Sequence, residues 1–369
     1  MKEVLILSLV NETSPALRYR VTLPMEILKN EEQVCYDKLI FYSNETTKSM
    51  NGDDNALKIL NVIKDFIKFI TKFIKIKKGY DIVIVKNNIF PILGSRIEKI
   101  VFNKFKNSKI IYDIDDAIYM NETRKNNEAM KKFRNAGAKV GFWYKHCNIF
   151  LVSNRIIRQD LVEKYNYKHK NKNVIEFLTC PLSKQYFQNK EDIIKYKESK
   201  EVNFIWLGSP HTQENLRLIN EFIINLSNKV KNPRVFIIGA HKDFELFRDL
   251  DYVEFIDWSP ENEKKYMQIS HIGLNPLFDN KFEQRKSAFK VIQYYRAGIL
   301  PIVSDTGINR ELIERYGGYC TNEFDLEETY LFINNSVADK KISLYLYENS
   351  QDLTLESNKE KIKNAIQSL

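Results

Sequence analysis

Short runs rich in β-branched and aromatic residues alternate with longer amphipathic stretches along the whole chain. The short runs predict β-strands, and the longer stretches predict helices because their apolar residues recur every three or four positions. The strands predicted are 4–10, 38–42, 82–86, 109–113 and 149–153 in the first half, then 203–207, 235–239, 253–257, 272–275 and 301–304. The helices predicted between them include 55–78, 91–106, 129–147, 212–228 and 288–297.

Alternation of this kind is typical of parallel sheets with helices on both faces. The series restarts near residue 201, so the pattern predicts an α/β protein with two Rossmann-like, doubly wound domains. We assign residues 1–187 to the first domain and 201–345 to the second, with a helical tail at 346–369 that packs back on the first domain. The charged segment between the domains lacks an apolar core pattern.

Composition excludes several classes of protein. The chain has 369 residues, 43% of them hydrophobic and 28% charged, as in folded soluble proteins. It has no apolar run long enough to span a membrane. The start, MKEVLILSLVNE, lacks the basic region and cleavage site of a signal peptide. Four scattered cysteines without a CxxC motif predict reduced thiols and a cytoplasmic location.

Charge is distributed unevenly. Residues 1–185 contain 33 Lys and Arg and 20 Asp and Glu, a net charge of +13, whereas the remainder contains 24 and 28, a net charge of −4. The basic half predicts an anionic partner. We do not expect a nucleic acid, because no RNA- or DNA-binding motif accompanies the charge.

Residues 55–78 form the most cationic part of that half, with seven lysines and one acid, Asp65. The apolar residues recur at helical spacing, at Ile59, Val62, Ile63, Phe66, Ile67, Ile70, Phe73 and Ile74. An apolar stripe in a doubly wound domain usually packs on the sheet, so we expect this stripe in the core. The lysines are then available for an anionic membrane surface.

Ligands of doubly wound domains bind outside the carboxyl ends of the strands. After the strand 203–207, Gly208 permits a tight turn, and Ser209 or Thr212 can cap the next helix, which continues through Asn215. The free amide groups of such a helix favour a phosphate, and His211 lies at the same place. The alternative is an ordinary strand-to-helix turn with a surface histidine.

A second helix start lies after the strand 272–275. Ser287 is a good N-cap for a helix that begins at Ala288, with Lys286 before it and Lys290 in its first turn. Cations are unfavourable at a helix N-terminus, so a bound anion would resolve the conflict. The alternative is two solvated surface lysines. Gln293 lies on the same face as Lys290, within reach of a ribose hydroxyl.

Charged residues also follow strands of the first half. Asp113, Asp115 and Asp116 end the strand 109–113, and Arg18 and Arg20 follow the first strand. The acids allow three interpretations: an acid that is catalytic or orients an acceptor, a cap of the next loop, or a metal-binding pair. Arginine binds phosphate through two parallel hydrogen bonds, but surface arginines at a helix start are an equal alternative.

Three segments together resemble the C-terminal domain of family 4 glycosyltransferases, which have the GT-B fold: GSPHTQENL, IGLNPLFDNKF and KSAFKVIQYYRAGILPIVSDTGINRELI. The first half resembles them more weakly, in ALRYRVTLPMEIL, IIYDIDDAIY and LVSNRIIRQDL. The resemblance implies two Rossmann-like domains that face each other across a cleft. A nucleotide sugar would bind mainly the C-terminal domain, and the acceptor the N-terminal one.

The same resemblance implies a diphosphate on the helix amides near Ser287, Ala288 and Phe289, neutralised by Lys286 and Lys290. The residues assigned to the donor are Gly208, Ser209, His211, Thr212, Asn215, Glu283, Lys286, Ser287, Ala288, Phe289, Lys290 and Gln293. GT-B enzymes generally bind the donor without a metal, so we expect no metal and no cofactor other than the donor substrate. Asp115 and Asp116 correspond to positions that border the reaction centre.

The chain departs from the family pattern at one motif. The family carries two glutamates eight residues apart, one against the sugar and one against the ribose, and those positions are Arg285 and Gln293 here. Glutamine can still bind ribose hydroxyls, but Arg285 cannot accept a hydrogen bond from a sugar hydroxyl. Glu283 or Asp279 is the expected substitute from the same loop.

These observations, together with the resemblance, predict a glycosyltransferase that moves a sugar from a nucleotide diphosphate sugar to a saccharide or lipid-linked saccharide acceptor, in bacterial surface polysaccharide or glycoconjugate synthesis. The resemblance to family 4 implies retention of the anomeric configuration. Asp115 or Asp116 would orient or deprotonate the acceptor hydroxyl. We place the protein in the cytoplasm, at the inner face of the cell membrane. One alternative is a degenerate GT-B protein that serves as the partner of an active enzyme, and another is a nucleotide-sugar epimerase.

Overall fold

The computed structural model describes residues 1–50, 54–77, 79–91, 94–120, 135–165, 173–241, 243–321, 324, 326–337 and 341–369. The chain divides into two compact units. The first unit comprises Met1–Thr179, Arg285–Ser287 and Asn358–Leu369, and the second comprises Cys180–Gln284 and Ala288–Ser357. The first unit ends before residue 187 because Tyr186 and Phe187 pack in the hydrophobic core of the second.

Six parallel strands form the sheet of the first unit, in the order β2-β1-β3-β4-β5-β6. They are β1 (Lys2–Ser8), β2 (Val34–Ile40), β3 (Ile82–Lys86), β4 (Lys109–Ile114), β5 (Ile149–Val152) and β6 (Asn173–Glu176). The helices are α1 (Pro15–Leu17), α2 (Leu23–Asn30), α3 (Asn44–Met50), α4 (Asn55–Lys75), α5 (Arg96–Lys104), α6 (Ala136–His146) and α7 (Arg155–Tyr165). A π-helical turn, Arg18–Thr22, joins α1 to α2, and a 3₁₀ turn covers Ile118–Met120.

The second unit also has six parallel strands, in the order β12-β11-β10-β7-β8-β9. They are β7 (Val202–Leu207), β8 (Pro233–Ile238), β9 (Val253–Ile256), β10 (Ile272–Asn275), β11 (Leu300–Ser304) and β12 (Tyr319–Thr321). The helices are α8 (Lys190–Lys197), α9 (Asn220–Ile224), α10 (Leu226–Lys229), α11 (Pro260–Ile269), α12 (Phe289–Arg296), α13 (Asn309–Tyr316), α14 (Leu326–Val337), α15 (Ile342–Asn349) and α16 (Leu355–Gln367), whose last residues belong to the first unit. The 3₁₀ helices are Gln213–Ile219 and Glu283–Arg285.

Both predicted series of parallel strands are confirmed, and each sheet has one further strand at its edge. β6 and β12 were missed because they are short and only partly buried, so they carry little apolar pattern. The helix predicted over 212–228 is instead a 3₁₀ helix followed by α9 and α10. The first residues of the predicted helix 129–147 lie outside the described residues, and α6 covers its later part.

The prediction that the apolar stripe of residues 55–78 packs in the core is wrong. The buried residues of α4 are Asn61, Asp65 and Phe69. Most of the stripe is exposed, including Ile59, Ile63, Phe66, Ile67 and Ile74. The reason is that Asp65 accepts hydrogen bonds from the backbone amide of Ser43 and the hydroxyl of Thr46, which turns the polar side of the helix inward.

The tail helix α16 contacts the beginning of the chain within the first unit. Lys2 donates a hydrogen bond to the carbonyl of Ile366 at 2.8 Å. Lys359 forms an ion pair with Glu31. No helix in the described part of the chain is both long enough and apolar enough to cross a membrane.

Close packing against β10 positions α12 on the second sheet. Tyr294 of α12 is fully buried and donates a hydrogen bond from its hydroxyl to the carbonyl of Leu274 at 3.0 Å. Its ring lies over Gly273, where a Cβ atom would come within 2.4 Å of the ring. Gly298, at φ +60°, follows the end of the helix, where a left-handed residue is favoured.

We therefore predict that Gly273→Ala lowers the free energy of unfolding by about 3 kcal/mol, because the added Cβ atom would clash with the fully buried Tyr294 ring. Urea titration followed by circular dichroism measures this change. Gly79→Ala is the matched control, since a Cβ atom there meets no other atom within 4 Å. Equal losses in the two variants would contradict the steric explanation.

Candidate functional site

Four buried or largely buried charged groups meet at the carboxyl edge of the first sheet. Arg20 and Lys86 supply the cations, and Asp113 and Asp115 supply the anions. The ammonium of Lys86 lies 2.8 Å from Asp113 and 2.7 Å from Asp115. Arg20 binds both carboxylate oxygens of Asp113. We call this arrangement the charge cluster.

Arg20 is held on its other side as well. Its guanidinium donates to the carbonyl of Phe177 and, at 3.1 Å, to the hydroxyl of Thr179. Because the side chain is fully buried and its donors meet protein oxygens, this geometry favours a structural role over direct contact with a phosphate. Arg18 is half-buried, and its guanidinium lies 4.8 Å from the ring centroid of Tyr19.

Asp115 is the more accessible anion of the cluster, with its side chain 17% exposed. Burial raises the pKa of Asp115, but Lys86, Arg20 and a hydrogen bond from Asn87 outweigh it and hold the pKa at about 2. A carboxylate with so low a pKa is a weak general base at neutral pH. Asp115 is therefore a fixed negative charge at neutral pH.

Asp116 lies next to the cluster and is more open to solvent, with its side chain 36% exposed. Its carboxylate lies 3.4 Å from the ammonium of Lys286. Of the two acids predicted to be catalytic, Asp116 is therefore the more accessible. Nowhere among the described residues do three His, Cys, Asp or Glu side chains gather in a way that could hold a metal ion.

Arg285 forms a two-point ion pair in the first unit. Its guanidinium contacts both carboxylate oxygens of Asp160, one of them at 2.9 Å, and the hydroxyl of Tyr119 donates to the same carboxylate at 2.5 Å. Burial raises the pKa of Asp160, but the hydrogen bonds from Arg285 and Tyr119 have the larger effect, so the pKa lies below its usual value. Arg285 therefore has a carboxylate partner within the first unit.

The backbone of the same segment is held by Asn154, which follows β5 and is buried. Its side-chain amide donates to the carbonyls of Arg285 and Lys286, each at 3.1 Å. Its side-chain oxygen accepts from the amide of Ile157 in the first turn of α7. Asn154 therefore fixes the segment Arg285–Ser287 against the start of α7.

In the second unit, the loop after β7 forms a compact turn. The hydroxyl of Thr212 accepts a hydrogen bond from the amide of Ser209 and donates one to the Ser209 carbonyl, both at 3.1 Å. His211 is exposed, and Asn215 is buried on the 3₁₀ helix that follows. Gly208 lies so close to the ring of Trp206 that a Cβ atom would come within 2.0 Å of it.

The start of α12 differs from the predicted cap. Ser287 does not occupy the N-cap position: that position belongs to Ala288, whose methyl side chain cannot accept a hydrogen bond. Ala288 is in the left-handed region, at φ +52° and ψ 23°. That conformation is costly for alanine and tends to occur at functional sites. The first amides of α12, at Phe289 and Lys290, follow this turn directly.

Lys290 and Glu283 flank the same turn. The ammonium of Lys290 lies 5.1 Å from the centroid of the Trp206 ring, within the range of a cation–π interaction. Glu283 is 1% exposed, and its amide donates to the side chain of Asn280 at 2.9 Å. The other expected substitute carboxylate, Asp279, is exposed and accepts a hydrogen bond from Gln284.

Gln293 is buried in a polar network. Its amide donates to the hydroxyl of Tyr186 at 2.8 Å and to the carboxylate of Glu263 at 3.0 Å. The second oxygen of Glu263 accepts from the indole of Trp258 at 2.8 Å. The network fixes the orientation of the Gln293 side chain and brings a buried carboxylate beside it.

Several of these residues were missed at the level of sequence. The position of Lys86 could have identified it as a candidate. It is the last residue of β3, and parallel strands end at one edge of the sheet. Asn154 could have been found in the same way, directly after β5. Glu263 and Asp160 lie within helices, and Gln293 and Arg285, which bind them, are 30 and 125 residues away, so no local signal identifies these pairs.

Comparison with known proteins identifies the fold. No protein-family model matches the chain, and no curated protein matches it. Sucrose-phosphate synthase from Thermosynechococcus elongatus is similar in structure at 9% identity, with a TM-score of 0.67 over 100% of this chain and 99% of that one. HepE from Anabaena, in complex with UDP-glucose, gives 11% identity and a TM-score of 0.63 over 100% of both chains.

A glycosyltransferase from Rickettsia africae is also similar, at 13% identity and a TM-score of 0.63, over 99% of this chain and 97% of that one. At these identities the likeness shows the fold alone. The predicted fold class, GT-B with two Rossmann-like α/β units, is confirmed by the full-length likeness and by the two six-stranded parallel sheets.

For the charge cluster, we predict that Asp113→Asn lowers the free energy of unfolding by about 3–5 kcal/mol, because it leaves a buried cation without its anion. Chemical denaturation measures the change. Asp116→Asn is the matched control and should cost about 0.5 kcal/mol, since its ion pair is partly solvated. A small loss in Asp113→Asn would show that the cluster does not stabilise the first unit.

Proposed function

We propose that this protein is a glycosyltransferase that transfers a sugar from a nucleotide diphosphate sugar. The observation that carries the proposal is the full-length likeness in fold to glycosyltransferases, including a protein in complex with UDP-glucose. UDP is therefore the first nucleotide to test. The acceptor proposed is a saccharide or a lipid-linked saccharide, in the synthesis of a bacterial surface polysaccharide or glycoconjugate.

The second unit supplies the donor site in this proposal. In this proposal the diphosphate lies at the start of α12, where the amides near Ala288 and Phe289 follow a left-handed turn. Amides at a helix N-terminus bind phosphate, and the ammonium of Lys290 in the first turn adds a positive charge. Lys286, next to the turn in sequence, and the loop Gly208–Thr212 complete the proposed donor residues.

The sugar-binding carboxylate is the part of the proposal that departs from family 4. Arg285 is engaged by Asp160, so we assign its role to holding the segment Arg285–Ser287. Glu283 lies two residues earlier and is the proposed substitute. Gln293 binds a ribose hydroxyl in this proposal, and the carboxylate of Glu263 orients its amide.

Catalysis consists mainly of positioning and electrostatics. The leaving diphosphate develops negative charge, which the amides and Lys290 stabilise. Asp116 accepts a hydrogen bond from the acceptor hydroxyl, and Asp115 contributes a fixed charge beside it. We propose retention of the anomeric configuration and no requirement for a metal ion.

Nucleotide binding is the test of this proposal. We expect UDP at millimolar concentration to raise the melting temperature of the protein, because a ligand that binds only the folded state stabilises it. If none of the common nucleoside diphosphates gives a shift, the proposal fails, and a degenerate partner of an active glycosyltransferase becomes the better account. The epimerase alternative is separated by product analysis, since it releases no free nucleotide.

For Lys290→Ala we expect a loss of nucleotide affinity of about tenfold or more, because a charge-assisted contact to the diphosphate is removed. Titration calorimetry measures the dissociation constant. Lys264→Ala is the control, since Lys264 is an exposed lysine of the same unit. Unchanged affinity in Lys290→Ala would disprove the placement of the diphosphate at α12.

Metal independence is tested separately. Once a donor is identified, turnover should be unchanged by excess EDTA, because the charge of the leaving diphosphate is neutralised by amides and lysine. Added Mg²⁺ after EDTA serves as the control. Activity that disappears with EDTA and returns with Mg²⁺ would contradict this part of the proposal and reopen the metal interpretation of the acids after β4.

A further inference from the structure

The surface of α4 is divided into three stripes along its 21 residues. The inward stripe contains Asn61, Asp65 and Phe69, which are buried. The oxygen of Asp65 accepts hydrogen bonds from the amide of Ser43 at 2.8 Å and the hydroxyl of Thr46 at 2.5 Å. These buried bonds fix the rotation of the helix about its axis, so the exposure of its other faces is set by the fold.

The outward stripe is apolar. In the part of the chain that the structure describes, sixteen large hydrophobic side chains are exposed, and seven of them lie on this one helix. These are Leu57, Ile59, Leu60, Ile63, Phe66, Ile67 and Ile74, with 40–71% of each side chain exposed. Apolar surface concentrated in this way marks a site of contact rather than ordinary surface.

The third stripe is cationic. Lys64, Lys68 and Lys72 recur every four residues and are exposed, and Lys75 follows near the end of the helix. The only carboxylate within α4 is Asp65, which is buried. The exposed faces of the helix are therefore apolar on one side and positively charged on the other, with no acid between them.

We propose that α4 lies in the plane of an anionic bilayer, with its apolar stripe among the upper acyl chains and its lysines among the lipid headgroups. A helix of this length extends about 30 Å along such a surface. An amphipathic helix of this composition binds through buried apolar area together with attraction to anionic lipid. This inference deepens the lipid-linked acceptor of the proposed function, although the contact itself does not depend on that activity.

A bilayer fits these stripes better than a second copy of the chain. A symmetric pair of α4 helices would place two rows of lysines near each other without an acid to separate them. In an anionic bilayer, the acyl chains contact the apolar stripe and the negatively charged headgroups contact the lysines. Binding to a second copy is therefore an outcome that the experiment must detect.

The first measurement is co-sedimentation of the full chain with vesicles of equal parts phosphatidylglycerol and phosphatidylcholine, compared with phosphatidylcholine alone. We expect strong binding to the anionic vesicles and binding at least tenfold weaker to the neutral ones, with a loss of affinity as salt is raised. Absence of binding to the anionic vesicles, or equal binding to both, would overturn the proposal.

Paired variants separate the two stripes. Lys64→Gln with Lys68→Gln should weaken anionic-vesicle binding about 25-fold, at roughly fivefold for each lysine. Ile63→Asn with Ile67→Asn should weaken it at least tenfold. Their controls are Lys231→Gln with Lys264→Gln, and Ile194→Asn with Leu331→Asn, which change equally exposed residues of the second unit and should have less than a twofold effect.

A tryptophan reporter distinguishes insertion from association with another protein molecule. The emission of the added tryptophan in Ile67→Trp is obtained by subtracting the spectrum of the parent protein. We expect this emission to shift to shorter wavelengths when anionic vesicles are added, and to be quenched by lipids brominated on the acyl chains. A blue shift that instead follows protein concentration, without vesicles, would identify a second copy as the occupant and overturn the proposal.

Failure of this inference can be told from failure of the proposed function. Nucleotide stabilisation is measured on each α4 variant without vesicles, and it should match the parent protein because these residues lie outside the proposed donor site. Vesicle binding without any nucleotide stabilisation would support the membrane surface and reject the glycosyltransferase. Nucleotide stabilisation without vesicle binding would support the glycosyltransferase and reject the membrane surface.

Discussion

The charge cluster is the constraint on which the first unit depends. Two cations and two anions are held at the carboxyl edge of the first sheet, with Arg20, Lys86 and Asp113 fully buried. Each buried charge is tolerated because an opposite charge and further hydrogen bonds lie beside it. The cluster ties the π-helical turn after β1 to the ends of β3 and β4. It also sets the low pKa of Asp115 and so limits the chemistry available at that edge.

Within the second unit, steric fit places the loop after β7 and the helix α12. Gly208 and Gly273 lie against the rings of Trp206 and Tyr294, at distances that exclude a Cβ atom. These contacts hold the loop after β7 and the helix α12 at fixed places on the sheet. The strained backbone at Ala288 then sets where the helix amides begin.

The sequence predicted the parallel strands and the two-part α/β fold because buried strands and amphipathic helices have different apolar periods. It missed β6 and β12, since short edge strands are defined by backbone pairing with a neighbour and not by their own pattern. It placed the N-cap of α12 at Ser287, because serine is a favoured cap, whereas the chain reaches the helix through a left-handed Ala288. The sequence could not predict the partners of Arg285 and Gln293, because both pairings join residues far apart in sequence.

The segment 55–78 shows most clearly which features the sequence determines and which depend on the tertiary structure. The sequence by itself determined an amphipathic helix with a row of lysines, because helical periodicity and charge are local properties. Only the tertiary structure decided which side faces the protein, since Asp65 finds its hydrogen-bond partners at Ser43 and Thr46. A buried carboxylate must be satisfied, and the apolar stripe that local pattern assigned to the core is therefore turned toward the outside.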